Sequence, residues 1–585
     1  MYVGLVLREE ARYDVVMHID TIPNRGSRPA YLLRESFREG RRVRKRTLAN
    51  LSSLSDEQIF AIRAILRGEQ LAPASALFEA IASCPHGHVQ AVRRAMQQLG
   101  FTQLIGTRPS AERDRVCAMV AARILAPDTK LATTRWWHTT TLAQEFGVEH
   151  AHENDLYKAM DWLLERQAGI EKKLAKRHLS EGGLVLYDLS SSYFEGSSCP
   201  LAKLGHNRDG KKGKLQVNYG LVTDVRGCPV AVSVFDGATA DCKTVVPQVR
   251  RIQAEFGIEH MVVVGDRGMI SQKAIDEFKG VPGVAWITAL KSAQIRALVG
   301  EGGLQMGLFD ERNLFEFTHP DYPGERLVAC RNPQLAQLRA AKRADLLKAT
   351  AAELDKVCAM VTRGKLVGTD KIGVRVGRVI NKYKVAKHFE LTIEKTGFSY
   401  RIDEHKVEPE AALDGIYMLR TPLRAELITA ADIVRSYKSL SHVERAFRSL
   451  KTLDLKVRPI HHRLPDRVRA HILICMLAYY VEWHMREAWR ARLFCDEDQA
   501  AKAIRDPVAP AMRSEHAEHK AHTHTLNDGT PAHSFRTLLE ELSTIVRNTC
   551  RTIATDSAQA PTFTIVTQAN TTQQRALKLL ETITV

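Results

Sequence analysis

The sequence predicts an α/β protein in which helices flank a mixed sheet. The main observation is the order of periodic segments between residues 182 and 290: strand, strand, strand, helix, strand, helix, strand. Before them, residues 56–180 follow helical spacing with little strand signal. After them, about 140 residues separate the fifth strand from a helix at 432–453, too many for a plain connection. We therefore predict a subdomain inserted between that strand and that helix.

Two segments precede the predicted sheet. Residues 1–55 alternate apolar and polar positions and then become basic, which indicates a small strand-rich module. Residues 56–180 are predicted to form a mainly helical domain, for which DNA binding and dimerisation are both open roles. The basic cluster of the first module contains Arg41, Arg42, Arg44, Lys45 and Arg46.

Two apolar runs of the predicted sheet end in an acid. The first strand is Leu184-Val-Leu-Tyr-Asp188, and the fourth is Met261-Val-Val-Val-Gly-Asp266. Between them, residues 215–223 and 229–235 are β-rich and flank the turn Asp224-Val-Arg-Gly227, so they predict a hairpin. Acids at strand ends project into the crevice where open α/β sheets bind ligands. A single Asp at a strand end more often forms a turn, so the prediction of a ligand site depends on the presence of both acids.

The remaining core elements follow in order. Residues 243–256 have helical spacing, and 271–278 form a second helix with Ser271 as its expected N-cap. Residues 284–290 form the fifth strand. We expect segments 181–290 and 432–493 to form one catalytic core.

The predicted insertion covers residues 291–431. It is expected to be helical at 333–360 and β-rich from Val374 to Ile402. The tail, 494–585, is predicted to be helical, with a mobile loop at 505–532.

The helix at 432–453 carries polar residues at a regular interval. Tyr437, Glu444 and Lys451 are seven residues apart, which places them along one stripe of a continuous helix. Arg448 lies one turn beyond Glu444. An apolar stripe runs beside them, formed by Leu440, Val443, Phe447 and Leu450.

Composition favours a nucleic-acid partner and a reducing compartment. The chain has 585 residues with 84 Lys and Arg against 67 Asp and Glu, a net charge of +17, which suits a polyanion such as DNA. Its 10 cysteines form no CxxC pair, which is typical of reduced, structural thiols. No signal peptide or bilayer-spanning run is evident. We expect a cytoplasmic protein that associates with the nucleoid when it acts.

Three acids are the candidate catalytic residues. If Asp188, Asp266 and Glu444 converge, their mutual repulsion is best offset by divalent cations. All-oxygen ligation indicates Mg²⁺ or Mn²⁺, and two such ions can serve an in-line phosphoryl transfer. Arg267, Arg448 and Lys451 could bind phosphate oxygens, and Tyr437 could donate a hydrogen bond. No Gly-rich phosphate loop of Walker type occurs, so the sequence does not support ATP-driven chemistry.

Several blocks of the sequence resemble a known family. They are Leu186-Tyr-Asp188-Leu-Ser-Ser-Ser-Tyr-Phe-Glu195-Gly196, Phe235-Asp-Gly237-Ala-Thr-Ala-Asp241, Val264-Gly-Asp266-Arg-Gly-Met269, Asp414-Gly-Ile-Tyr417 and the helix at 432–453. The order of strands and acids resembles the ribonuclease H-like fold. The blocks together resemble bacterial insertion-sequence transposases of the Asp-Asp-Glu class, in the branch with a Tyr-Arg-Glu-Lys box and a β-rich insertion before the Glu.

The resemblance implies a mechanism and roles for particular residues. Asp188, Asp266 and Glu444 are the implied catalytic metal ligands, while Tyr437 and Lys451 are implied to contact DNA phosphates. The box has Leu440 where its Arg is expected, and Arg448 is a possible substitute. Cleavage at terminal inverted repeats, attack of the freed 3′-OH on target DNA, and a synaptic homodimer are also implied. Two alternatives stay open: a ribonuclease H-like nuclease without strand transfer, and a catalytically silent DNA-binding derivative.

Overall fold

The computed structural model describes residues 16–69, 78–300, 309, 313–509, 512–552 and 561–585. The chain divides into two compact units. The first comprises residues 1–83 and 547–567, and the second comprises residues 84–546 and 568–585.

The elements are numbered in chain order. The strands are β1 (Val16–Asn24), β2 (Ser27–Glu39), β3 (Arg42–Asn50), β4 (Phe78–Pro85), β5 (Leu184–Tyr193), β6 (Gln216–Thr223), β7 (Pro229–Asp236), β8 (Met261–Val264), β9 (Val284–Ala289), β10 (Leu314–Phe317), β11 (Arg326–Arg331), β12 (Phe389–Ile393), β13 (Phe398–Ile402), β14 (Ile416–Thr421), β15 (Val546–Thr552) and β16 (Thr562–Val566). The α-helices are α1 (Asp56–Leu66), α2 (Gly87–Gln98), α3 (Phe101–Ile105), α4 (Ala111–Leu125), α5 (Lys130–Trp136), α6 (Leu142–Phe146), α7 (Glu153–Leu164), α8 (Gln167–His178), α9 (Val245–Arg251), α10 (Gln272–Phe278), α11 (Ser292–Gly300), α12 (Pro333–Thr362), α13 (Thr369–Ile380), α14 (Glu404–Ala411), α15 (Ala430–Lys438), α16 (Leu440–Arg448), α17 (Pro465–Ala488), α18 (Gln499–Ile504), α19 (Glu515–Thr523), α20 (Phe535–Ser543) and α21 (Thr571–Leu579).

The first unit is built on strands. β1, β2 and β3 form an antiparallel sheet in that order. α1 follows, and Ser55 caps it by accepting a hydrogen bond from the backbone N–H of Gln58. A second sheet has the order β16-β15-β4.

The second unit is organised around a sheet of eight strands in the order β10-β11-β14-β9-β8-β5-β6-β7. β5 is parallel to β8, and β8 is parallel to β9. β6 is antiparallel to both β5 and β7. The five predicted core strands therefore have the order β7-β6-β5-β8-β9, with the first in the middle and the second reversed, which is the ribonuclease H-like arrangement. The predicted α/β fold class is confirmed.

Helices cover this sheet as the hydrophobic pattern predicts. α17 packs against β7, α4 and α7, and nearly all of its residues from Val468 to Met485 are buried. Its apolar run, 472–481, is thus part of a buried helix. Across the described ranges, no helix has both the length and the apolar character that crossing a membrane requires.

The insertion is less β-rich than the sequence indicates. Val374–Ile380 belongs to α13, where Ile372 and Val376, one turn apart, are buried against Leu354 and Val357 of α12. Its strands also divide: β10, β11 and β14 extend the core sheet, whereas β12 and β13 pair as a separate hairpin. The insertion therefore completes the sheet of the core.

The tail departs from a purely helical pattern. β15 and β16 pair with each other in antiparallel register. Polar residues dominate β15, so the sequence lacks the alternation that signals a strand. In the segment predicted to be a mobile loop, α19 forms with Ser514 as its N-cap.

Candidate active site

Asp188 lies within β5, and Asp266 lies two residues beyond the end of β8, the neighbouring parallel strand. Leu186 of β5 pairs with Val264 of β8, and each Asp follows its member of that pair by two residues. Both acids therefore lie just beyond the same end of the β5–β8 ladder. The sequence prediction that both acids end a strand is wrong for Asp188, because β5 continues to Tyr193.

Backbone groups hold one oxygen of each of these carboxyl groups. Oδ1 of Asp266 accepts hydrogen bonds from the N–H groups of Gly268 at 3.0 Å and Met269 at 2.8 Å. Oδ1 of Asp188 accepts one from the N–H of Leu189 at 2.8 Å. The second oxygen of each group accepts no hydrogen bond from the described residues and can serve a ligand.

Glu444 lies on α16, which packs on the sheet beside Asp188. Val443, Ala446 and Phe447 are buried, and the Phe447 ring meets the Tyr219 ring of β6 at 5.8 Å. Glu444 itself is exposed. The apolar stripe thus anchors the helix and leaves the carboxyl group at the open edge of the site.

The predicted continuous helix at 432–453 is interrupted. α15 ends at Lys438 and α16 begins at Leu440, with Ser439 between them as a single turn residue. A π-helical turn, Ser449–Leu453, then follows α16. A π-turn changes the residue spacing of a helix, so Lys451 leaves the stripe that Tyr437 and Glu444 were predicted to share with it.

Electrostatics connect the three acids and Tyr437. Burial, together with the charges of Asp266 and Glu444, raises the pKa of Asp188 to about 7, while the hydrogen bond from Leu189 and the charge of Arg208 oppose the shift. Burial, together with the charges of Asp266, Glu444 and Asp188, raises the pKa of Tyr437 to about 12. The four groups therefore share one electrostatic environment.

This cluster fits a hard divalent cation. Its donors are carboxylate oxygens only, which suits Mg²⁺ or Mn²⁺ and disfavours softer metals. The raised pKa of Asp188, caused by burial and by two neighbouring acids, also indicates uncompensated negative charge that a cation would offset.

Lys451 is buried in a polar contact instead of facing solvent. Its Nζ lies 2.7 Å from Oδ1 of Asp209 and donates a hydrogen bond to Oγ of Ser190 at 3.1 Å. Arg458 also pairs with Asp209. The backbone N–H of Tyr193 donates a hydrogen bond to Oδ2 of Asp209 at 3.0 Å. Burial lowers the pKa of Lys451, while the bond to Asp209 opposes the shift.

Arg208 is a site residue that the sequence analysis does not single out. Its charge lowers the pKa of Asp188, so the guanidinium lies near that acid. Nη2 pairs with Asp241, whereas Nη1 is buried and has no hydrogen-bond partner among the described residues. The signal that could have revealed it is the basic and acidic pair in the Gly-containing loop Gly205–Gly213 between β5 and β6.

Comparison with protein families agrees with this geometry. Residues 188–481, about half of the chain and the stretch that holds all three acids, match the family described as transposase DDE domain. The chain belongs to the DDE transposase family. Residues 18–75 match the N-terminal domain of IS1634 family transposases, so this transposase is also similar to insertion-sequence proteins in its first unit.

Other comparisons add little to this assignment. Among solved structures, the piggyBac transposase synaptic complex with hairpin DNA matches at 8% identity and a TM-score of 0.31. The match covers 78% of the present chain and 77% of the piggyBac chain. No curated protein matches the transposase.

The remaining predicted site residues divide between the two units. Arg267 follows Asp266, is exposed, and lowers the pKa of Tyr437 through its charge. Arg448 is exposed at the end of α16. Both side chains are therefore accessible to solvent.

The basic cluster Arg41, Arg42, Arg44, Lys45 and Arg46 lies on the β2–β3 hairpin of the first unit. Three of its members form ion pairs with acids of the same sheet. Arg44 pairs with Glu39 at 2.6 Å, Lys45 with Asp20 at 3.2 Å, and Arg46 with Glu35 at 2.5 Å. Exposed pairs of this kind are weak, so the cluster stays accessible to a polyanion.

Proposed function

We propose that this transposase cleaves DNA at the ends of an insertion sequence and joins the freed 3′-OH to target DNA, a cut-and-paste reaction. The observation that carries the proposal is the matched placement of Asp188 and Asp266 beyond the same end of the β5–β8 ladder, with Glu444 sharing their electrostatic environment. Three carboxylates close enough to raise the pKa of one of them suit metal-assisted phosphoryl transfer.

Asp188, Asp266 and Glu444 would hold Mg²⁺ or Mn²⁺, most simply as a pair of ions. When bound, such ions activate the attacking oxygen and stabilise the leaving oxygen. The backbone N–H groups of Gly268 and Met269 keep the Asp266 carboxyl in a single orientation, which preorganises the site.

The neighbouring polar residues would bind the DNA strand. Tyr437 is protonated at neutral pH, as an ordinary phenol is, and burial raises its pKa further, so it can donate a hydrogen bond to a phosphate oxygen. Nη1 of Arg208 has no hydrogen-bond partner within the described chain, and the charge of Arg208 acts on Asp188, so we assign Arg208 the phosphate contact that Leu440 cannot make. Arg267 and Arg448 extend this contact along the exposed edge.

Lys451 fits a positioning role. It joins the π-turn after Glu444 to Asp209, the residue next to Arg208. This bond holds the end of the Glu444 helix at a fixed position relative to the loop that carries Arg208. The charge of Lys451 can still act on the DNA at longer range, in place of the direct phosphate contact that the resemblance implies.

The decisive experiment supplies labelled element ends carrying terminal inverted repeats, supercoiled target DNA and Mg²⁺. Strand-transfer products support the proposal. Cleavage without joining supports the ribonuclease H-like nuclease, and binding without either reaction supports the silent derivative. Sizing the complex by light scattering with and without end DNA tests whether a homodimer assembles on it.

A further inference from the structure

A second polar cluster in the second unit lies outside the carboxylate site. His178 at the end of α8, Cys228 at the turn between β6 and β7, and His484 on α17 each offer one ligand atom, and these atoms all lie within 4.8 Å of one another. Sγ of Cys228 is 3.8 Å from Nε2 of His484. Three separate elements of the chain therefore bring nitrogen and sulfur donors to one buried point.

The hydrogen bonds of His178 leave one ring nitrogen without a partner. Nε2 lies 3.0 Å from the hydroxyl of Tyr480, whereas Nδ1 is buried and has no hydrogen-bond partner among the described residues. A metal-binding imidazole commonly uses one nitrogen for the metal and the other for an orienting partner. An unsatisfied buried nitrogen otherwise costs free energy, so it calls for an explanation.

We propose that His178, Cys228 and His484 bind a Zn²⁺ ion. Two imidazole nitrogens and a thiolate form a donor set that Zn²⁺ prefers. With Zn–N near 2.0 Å and Zn–S near 2.3 Å, tetrahedral ligands lie about 3.4 to 3.6 Å apart. The Cys228–His484 distance is already close to that value, and water can occupy the fourth position.

The nearby charges are compatible with a cation. Arg226 is paired with Asp224, with Nη2 at 2.8 Å from Oδ2, and its guanidinium stacks on the Trp483 ring. Arg177 donates to the carbonyl of Leu99 at 3.0 Å. The bound thiolate of Cys228 would add a negative charge that the present cluster lacks.

The ion would have a structural role close to the active site. The turn that carries Cys228 also contacts α16, because the carbonyl of Val225 lies 2.9 Å from Nδ1 of His442, two residues before Glu444. Zn²⁺ would therefore fasten α8, α17 and the turn that supports the Glu444 helix.

Two measurements on the full-length protein test this site. Elemental analysis of the purified chain should find stoichiometric zinc. Replacing zinc with Co²⁺ should produce a thiolate-to-cobalt charge-transfer absorption, which carboxylate-bound Co²⁺ cannot give. Cys228→Ala should abolish that absorption, whereas Cys475→Ala, a buried free cysteine on the same helix as His484, should retain it.

An absorption that survives Cys228→Ala, or saturating Co²⁺ that produces none in the unaltered protein, would overturn the proposal. If Cys228→Ala does not fold, X-ray absorption at the zinc edge of the unaltered protein decides instead. A first shell with one sulfur and two imidazoles supports the site, and a shell of oxygen donors alone refutes it. None of these results depends on transposition.

Discussion

Lys451 and Asp209 form a buried ion pair, with 2.7 Å between Nζ and Oδ1. This pair joins the π-turn that follows the Glu444 helix to the loop between β5 and β6. Because Arg208 is the neighbour of Asp209 on that loop, the contact couples two parts of the proposed active site.

Asp209→Asn should destabilise the protein and slow cleavage together. Removing one partner of a buried pair leaves the other charge uncompensated, which costs about 3 kcal/mol of unfolding free energy. Denaturant unfolding checks the stability, and cleavage of labelled ends checks the rate. The double variant Asp209→Asn with Lys451→Met should recover part of that loss, and additive effects would argue against the coupling.

Arg208→Gln should lower the cleavage rate about 100-fold, since one oriented phosphate contact is lost. Arg208→Lys should recover only part of the rate, because an ammonium keeps the charge but lacks the guanidinium fork. Arg469→Gln, an exposed arginine on α17, is the matched control. Unchanged cleavage by Arg208→Gln would show that Arg208 does not replace the arginine that the box lacks at Leu440.

Glu444→Gln should abolish cleavage and preserve binding to element ends. The change removes a ligand charge while leaving the basic surface intact. Cleavage assays and gel-shift titrations with the same DNA measure the two properties. Glu277→Gln, an exposed glutamate on α10, should behave like the unaltered protein. Normal cleavage by Glu444→Gln would contradict the metal assignment.

Stabilisation by Mg²⁺ should grow as the pH rises through about 7, because burial raises the pKa of Asp188 to that value. Between about pH 4 and 7 the metal-free native state holds a proton that the unfolded chain lacks, so metal-free stability falls as the pH rises. Metal binding requires the deprotonated carboxyl. Melting temperatures with and without Mg²⁺ at pH 6 and pH 8 test this, and Asp188→Asn should remove the difference.

Replacing Arg41, Arg42, Arg44, Lys45 and Arg46 with Gln should weaken DNA binding and reduce its salt dependence. Each lost phosphate contact lowers the slope of log K against log salt by about 0.9. Fluorescence anisotropy at several salt concentrations gives this slope. A slope equal to that of the unaltered chain would place the DNA-binding surface elsewhere.

Much of the secondary structure of the core can be predicted from the sequence, because the patterns that indicate it lie within short segments. The β-rich segments on either side of the turn at 224–227 predict the hairpin of β6 and β7, and Ser271 caps α10 as expected. The apolar face of α16 is also evident from helical spacing. By contrast, β15 gives no local strand signal, because it is polar and depends on the strands beside it.

The sequence by itself determined the order along the chain of the core strands and the three acids. Hydrophobic periodicity and the acids that follow apolar runs are properties of short segments, so they can be recognised without the fold. Only the tertiary structure decided the surroundings of those acids. It places Ser190 beside Lys451 and gathers His178, Cys228 and His484 at one point. Such contacts depend on how distant elements pack, because a side chain's partners are set by the fold and not by its neighbours along the chain.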